Sequence, residues 1–204
     1  MTEKTSTRGR PRSFDRTAAL EAATRVFWQK GFTAASMNDL CEAMGIGSPS
    51  LYAAFGSKEQ LYIEAIRHYG SMGAPQLGQA LESAPTARQG IEAFLRFSAR
   101  SLACPDRPLG CMVVLSSVAS EGIAGLSEMI LEERKRSLKM VEARLRRGIQ
   151  EGDLPRGTNI KELARFYVTV QQGMSIQARD GTPPKTLDAV ATTAMRAWPT
   201  GRTA

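Results

Sequence analysis

The spacing of apolar residues predicts an all-α protein in two parts, an N-terminal three-helix domain with a helix-turn-helix and a larger C-terminal helical domain. Three features lead there. Apolar positions recur every three or four residues along most of the 204-residue chain, the period of a helix with one buried face. Capping residues and Gly or Pro stops punctuate those stretches at helix-length intervals. Residues 31–62, GFTAASMNDLCEAMGIGSPSLYAAFGSKEQLY, set two short helices around a glycine turn with another helix close behind, the sequence form of a helix-turn-helix.

The first helix is predicted over roughly 16–30, with Asp15 as its N-cap, Ala19, Ala22, Ala23, Val26 and Phe27 at helical spacing, and Gly31 as its end. Ser36 followed three residues later by Asp39 makes a capping-box start, with Met37, Leu40 and Met44 on the buried face and Gly45 at the turn. The next helix opens at Gly47 or Ser48, with Pro49 in the first turn, where its missing N–H costs nothing. Leu51 and Phe55, four apart, face inward; Ser48, Pro49, Ser50 and Ala53 face outward. So small and polar a face suits a major groove, where hydroxyls bond to base edges and short apolar groups touch thymine methyls. Ser57 begins a further helix with Gln60 at the capping-box position and Lys58 in its first turn. A cation there opposes the helix dipole, and contact with a phosphate would account for it. This helix is expected to run to about His68 and stop near Gly70 and Gly73.

Beyond it, helices are predicted at about 86–103 and 110–121, split by Pro105 and Pro108. A long helix at about 127–150 places Ile130, Leu138, Val141, Leu145 and Ile149 on one face and a run of charges on the other, which is a solvated surface. After a loop from Gly152 to Gly157 come helices at about 159–179 and 184–198. The last carries a wide apolar stripe, Leu187, Val190, Ala191, Ala194, Met195 and Trp198.

Composition narrows the function classes. The formal charge is +7 with a sequence pI near 9.7, which favours a polyanionic partner through counterion release. Residues 1–70 hold nine Lys/Arg and seven Asp/Glu, so only +2 of that charge lies there, and the motif must carry any claim about nucleic acid. The basic arm Arg8-Gly9-Arg10-Pro11-Arg12 is spaced by Gly and Pro and cannot fold alone; it is suited to a minor groove or a row of phosphates. With no apolar run of ~18 residues and no hydrophobic signal core, the chain is expected to be soluble and cytoplasmic. Cys41, Cys104 and Cys111 are odd in number with no C-x-x-C, so neither a disulfide framework, a zinc module nor a bound metal is indicated. No nucleotide loop or nucleophile elbow is present, and the one histidine, His68 near a helix end, is accounted for by the dipole there. No cofactor and no enzyme activity is expected.

Residues 9–69 resemble the N-terminal domain of the TetR/AcrR family of bacterial transcriptional regulators. The resemblance runs through Phe14, Ala22, Ala23, Phe27, Gly31, Phe32, Ser36, Leu40, Ala43, Gly45, Ile46, Ser50, Leu51, Tyr52, Phe55, Lys58, Glu59 and Leu61; the trailing Phe-x-x-Lys makes it specific. It implies an all-α architecture with a basic arm at 1–13, a helix-turn-helix DNA-binding domain at 14–56, and a C-terminal ligand-binding and dimerisation domain at 57–204, joined by the helix 57–69. In such proteins the residues matching Ser48, Pro49 and Ser50 approach bases, those matching Tyr52 and Lys58 hold phosphates, and Ser36 meets the backbone. Ala53 and Ala54 depart from the family pattern, which often has larger side chains there, so readout leans on Ser48, Ser50 and the arm residues Arg8, Arg10 and Arg12.

The resemblance further implies a homodimer through the helices at about 159–179 and 184–198, with Gly173, Ala191 and Ala194 allowing close approach. A dimer of short reading helices requires a palindromic double-stranded operator. The implied function is a repressor released by a small-molecule inducer, whose binding site falls among Phe94, Phe97, Met112, Leu115, Met129, Phe166, Tyr167, Gln171 and Met174, each of which could equally be ordinary core. An alternative is a redox- or electrophile-responsive regulator signalling through Cys111 and Cys104, which flank a loop bearing Arg107, since a nearby cation makes a thiol more reactive.

Overall fold

The computed structural model describes residues 14–116 and 125–199. The arm residues Arg8, Arg10 and Arg12, and the second half of the helix expected at 110–121, lie outside the described residues. Within them are eight α-helices: α1 Arg16–Ala34, α2 Met37–Met44, α3 Ser48–Phe55, α4 Lys58–Glu82, α5 Ala87–Leu102, α6 Leu126–Glu151, α7 Ile160–Arg179 and α8 Pro184–Ala194.

Two apolar cores organise them. In the first, Ala23, Phe27 and Phe32 of α1 meet Leu40 and Met44 of α2, Leu51 and Phe55 of α3, and Leu61, Tyr62, Ala65 and Ile66 of α4. Tyr62 stands edge-on to Phe27 and Phe32 at 5.0 and 5.1 Å between ring centroids, a favoured aromatic geometry. The first core also takes in Met112, Leu126 and Ile130, so the C-terminal part packs directly onto the N-terminal helices. In the second core Leu81, Ile91, Phe94 and Leu95 meet Val141 and Leu145 of α6, Tyr167 and Met174 of α7, and Leu187 and Ala191 of α8.

The starts and stops follow the capping chemistry. Asp15 accepts from the amides of Thr17 and Ala18, Thr86 from Gln89, and Asn159 from Glu162, each satisfying amides that a helix start leaves open. Gly31 breaks α1 as predicted, at φ 79° and ψ 176°, a conformation a side chain resists. The hydrogen-bonded turn resumes to Ala34 beyond it.

Three expectations require correction. First, α4 does not stop near Gly70 or Gly73 but continues through Pro75 to Glu82. Helical glycine costs about 1 kcal/mol, and burial of Leu81 together with packing of Leu77 onto the second core offsets it. Pro75 denies the Ser71 carbonyl its donor, yet both residues are on the exposed side, where water serves instead.

Second, residues 111–116 are turns and a bend, not the opening of a helix. Arg134 of α6 binds the carbonyls of Val113, Val114 and Ser116 at 3.2, 3.1 and 2.7 Å, and Ser175 Oγ accepts from the Cys111 amide at 2.8 Å. Main-chain groups that a helix would pair internally are thus taken from outside, in a stretch whose Val113 and Val114 are weak helix formers. Third, α8 ends at Ala194; a 3-10 turn over Met195–Ala197 follows, and Trp198 is extended and buried with its ring 6.2 Å from that of Tyr167.

On α6 the charged run is a solvated face, with Lys135 paired to Glu132 and Arg136 to Glu133. Arg134 departs from it, turned to the carbonyls of Val113, Val114 and Ser116, and so does Arg144. Arg144 is fully buried, donating to Glu151 and to the Ala84 carbonyl, each at 3.3 Å.

Candidate nucleic-acid interface and effector cavity

The reading surface is built from α2, a three-residue turn and α3. Ser36 and Asp39 form the predicted capping box: Ser36 Oγ accepts from the Asp39 amide at 3.0 Å and Asp39 Oδ2 from the Ser36 amide at 2.9 Å. The Lys30 ammonium pairs with Asp39 at 2.8 Å. These contacts, Lys30 first and then Ser36, hold the Asp39 carboxyl down at about 2. Since the Ser36 oxygen accepts within the box, its own hydroxyl hydrogen remains to be donated outward.

Gly45 closes α2 in the left-handed conformation, φ 64° and ψ 29°, its amide shared between the Cys41 and Glu42 carbonyls. The Ile46 amide also reaches the Cys41 carbonyl at 3.1 Å, the wrapped ending typical of a helix stopped by glycine. Gly47 then caps α3 without a side chain, with Pro49 in the first turn. Leu51 and Phe55 are buried, while Ser48, Pro49, Ser50, Tyr52 and Ala53 are exposed together. Tyr52 is 49% exposed, a large side chain with no apolar reason to be outside.

Several contacts that hold this surface were not legible beforehand. Arg16, the first residue of α1, bonds Glu64 at 2.7 Å and the Ala54 carbonyl at 3.3 Å and lies 4.3 Å from the centre of the Phe55 ring. It thereby ties the end of α3 to α4. Cys41 is half-buried, its sulfur 3.4 Å from Ser48 Oγ, so it touches a predicted base-reading residue. The Lys58 ammonium sits 4.6 Å over the Phe32 ring, which supplies a stabilising contact within the chain for a cation the dipole disfavours.

Away from this surface, α4, α5, α6, α7 and the 103–116 loop enclose a cavity of about 150 Å³. Of the nine residues proposed for an inducer, Phe97 and Gln171 line it. Phe94, Tyr167 and Met174 are packed in the second core instead, and Met112 and Met129 belong to the first. Leu115 lies beside Gly110, and Phe166 is 40% exposed. The Tyr167 hydroxyl is buried without a hydrogen-bond partner among the described residues, and burial pushes its pKa up to about 12. Periodicity placed these residues on the inward faces of their helices but does not separate the wall of a cavity from the core beside it.

Cys111 lines the cavity next to Tyr69, whose hydroxyl is pushed well above its usual range by burial and then by the neighbouring thiol. Cys104 does not line it, and its described partner is the Asp106 carboxylate at 3.9 Å. Arg107 also lines the cavity and is held by bonds to Ser101 and by the Trp28 ring.

Comparison with known proteins gives this geometry its context. A family model described as bacterial regulatory proteins of the tetR family matches residues 19–65, from the first turn of α1 to about a third of the way along α4. The transcriptional repressor ComR of Escherichia coli K12 is 30% identical over 194 residues, covering 94% of this chain and 92% of ComR. The repressor BdcR of the same organism is 31% identical over 173 residues, covering 85% and 83%. Among solved structures, a cysteine mutant of the TetR family transcriptional regulator CifR complexed with 26-base-pair operator DNA is 44% identical with a TM-score of 0.89, covering 94% of this chain and all of that one.

Proposed function

The chain belongs to the TetR family of transcriptional regulators, and from that premise we propose that it works in the cytoplasm as a homodimeric repressor of a palindromic operator, released by a small molecule. The observation that carries this reading is the coherent exposed face of α3. Ser48, Pro49, Ser50, Tyr52 and Ala53 stand outside together on a helix whose entry is fixed by a glycine turn and whose exit is fixed by Arg16. Ser48 and Ser50 read base edges, Tyr52 and Lys58 hold phosphates, and Ser36 donates its hydroxyl to the backbone. The arm residues Arg8, Arg10 and Arg12 add contacts alongside.

A two-turn helix reads only a few base pairs, so specificity needs a second copy at a linked half-site. The surface of α7 and α8 suits that pairing. Phe166, Thr169, Gly173 and Ile176 form an exposed uncharged stripe on α7, and Thr186, Ala189, Val190 and Thr193 form another on α8. Ala191 and Ala194, proposed as points of close helix approach, are buried within the protomer and leave that role to Gly173 and Ala189.

The α4 helix runs from the reading head to the wall of the cavity. An effector that prefers one position of α4 shifts the spacing of the two heads by its differential affinity for the two states. Titration of the purified protein against its operator, with substitutions at Ser50 and Tyr52, tests the reading: loss of binding in the Tyr52 variant and changed base preference in the Ser50 variant support it, and no effect of either removes α3 as the reading helix.

A further inference from the structure

We propose that the cavity is selective for a small monoanionic molecule with a compact apolar body, of the size and charge of an aromatic or short aliphatic carboxylate. This rests on the reading that the cavity holds the effector, and it adds the chemical class.

Charge is the first observation. Arg107, Arg134 and Arg136 line the cavity, and Glu133 is the one carboxylate among its described lining residues. Glu133 pairs with Arg136 at 3.3 Å. The described polar contacts of Arg107 and Arg134 go to hydroxyl and carbonyl oxygens of Ser101, Val113, Val114 and Ser116, which orient a guanidinium without neutralising it. A half-buried space with two such cations favours an anion, and guanidinium geometry matches a carboxylate in particular.

Unspent hydrogen-bonding capacity is the second. Ser98 is 2% exposed and lines the cavity, yet its hydroxyl has no hydrogen-bond partner among the described residues. A buried hydroxyl left alone costs about 1–3 kcal/mol, and a polar atom of a bound molecule would remove that cost. Gln171, 9% exposed, lines the same space. The remaining wall includes Leu77, Phe97, Leu102 and Met140, which would cover an apolar body. A volume of about 150 Å³ is of the order that admits one benzene-sized ring.

Calorimetric titration of the full-length protein with benzoate, benzyl alcohol and benzylamine tests this, since the three share a ring and differ in charge. Benzoate is expected to bind at least tenfold more tightly than the alcohol, with the amine weakest, and Arg107→Gln is expected to abolish the preference. Equal binding of all three, or preference for the amine, overturns the proposed class, and so does absence of binding by any of them. The wild-type series decides even if the Arg107 variant fails to fold. A parallel operator titration separates the two readings. Benzoate binding without operator release upholds the ligand class and removes the effector step, whereas operator release by the alcohol alone upholds the effector step and removes the class.

Discussion

Arg179, the last residue of α7, donates to the main-chain carbonyl of Trp28 in α1 at 2.7 Å, with a second bond to the Gln29 carbonyl at 3.1 Å. Those carbonyls belong to the last turn before α1 breaks at Gly31, where a helix is short of donors and carries partial negative charge. Burial pushes the Arg179 pKa down, although the guanidinium remains the charged donor these bonds require. Trp28 also donates its indole N–H to the Gly110 carbonyl at 3.1 Å, and Arg107 lies over its ring. The N-terminal helices, the 103–116 loop and α7 therefore meet at one tryptophan, a connection between the two parts in addition to α4 and the packing of Met112, Leu126 and Ile130.

Replacing Arg179 with Met should loosen that connection. Charged hydrogen bonds of this partly buried kind are worth about 1–3 kcal/mol together, so a lower thermal midpoint is expected. If the junction transmits the effector signal, operator affinity without effector should change little while the response to effector weakens. Thermal melts and operator titrations with and without effector measure both.

The two kinds of contact assigned to α3 and the start of α4 predict different failures. Tyr52→Phe or Lys58→Gln should weaken binding to all sequences and reduce its dependence on salt. Ser48→Ala and Ser50→Ala should cost about 1–3 kcal/mol at the bases they touch and shift preference there. Binding profiles over a panel of single-base operator variants distinguish the two.

The Asp39 carboxyl gives a pH dependence with a definite sign. Its folded pKa, about 2, lies below the ordinary carboxylate value. The stabilisation from Lys30 and Ser36 is therefore complete above the unfolded value, near 4, and is lost as pH falls toward 2. Lys30→Met should raise the Asp39 midpoint and move the loss to higher pH. Carboxyl carbon NMR titration of Asp39 in both proteins reads this directly.

Ile176→Glu places a charge in the exposed stripe of α7, and Val190→Glu does the same on α8. Either should yield monomers in sedimentation velocity and sharply reduced operator affinity, since a charge buried across such a face is left unpaired. The fold of each protomer should persist, because both side chains are exposed in it, at 52% and 40%.

What could be read in the chain beforehand was mostly local. The Ser36–Asp39 box, the Gly45 turn, Pro49 at the start of α3 and the inward pair Leu51 and Phe55 follow from spacing and cap chemistry, and each is present in the fold. The misjudged features depend on partners distant in the chain. The continuation of α4 past Gly70 is sustained by burial against α5 and α6, and residues 111–116 are held in turns by Arg134 and Ser175. The same applies to the surface. Nothing near Arg16 announces Glu64, 48 positions away, and nothing near Arg179 announces Trp28, 151 away. The cavity was least legible, because helical periodicity marks Phe94, Phe97, Gln171 and Met174 alike as inward.

Selection of the purified protein against a random duplex DNA pool at controlled salt, followed by sequencing, tests the central claim most directly. The account predicts a two-fold symmetric motif, with base preferences that change in the Ser50→Ala protein. Recovery of only salt-sensitive binding with no motif, or a motif unaltered by both Ser48→Ala and Ser50→Ala, would contradict the assignment of the exposed face of α3 as the surface that reads sequence.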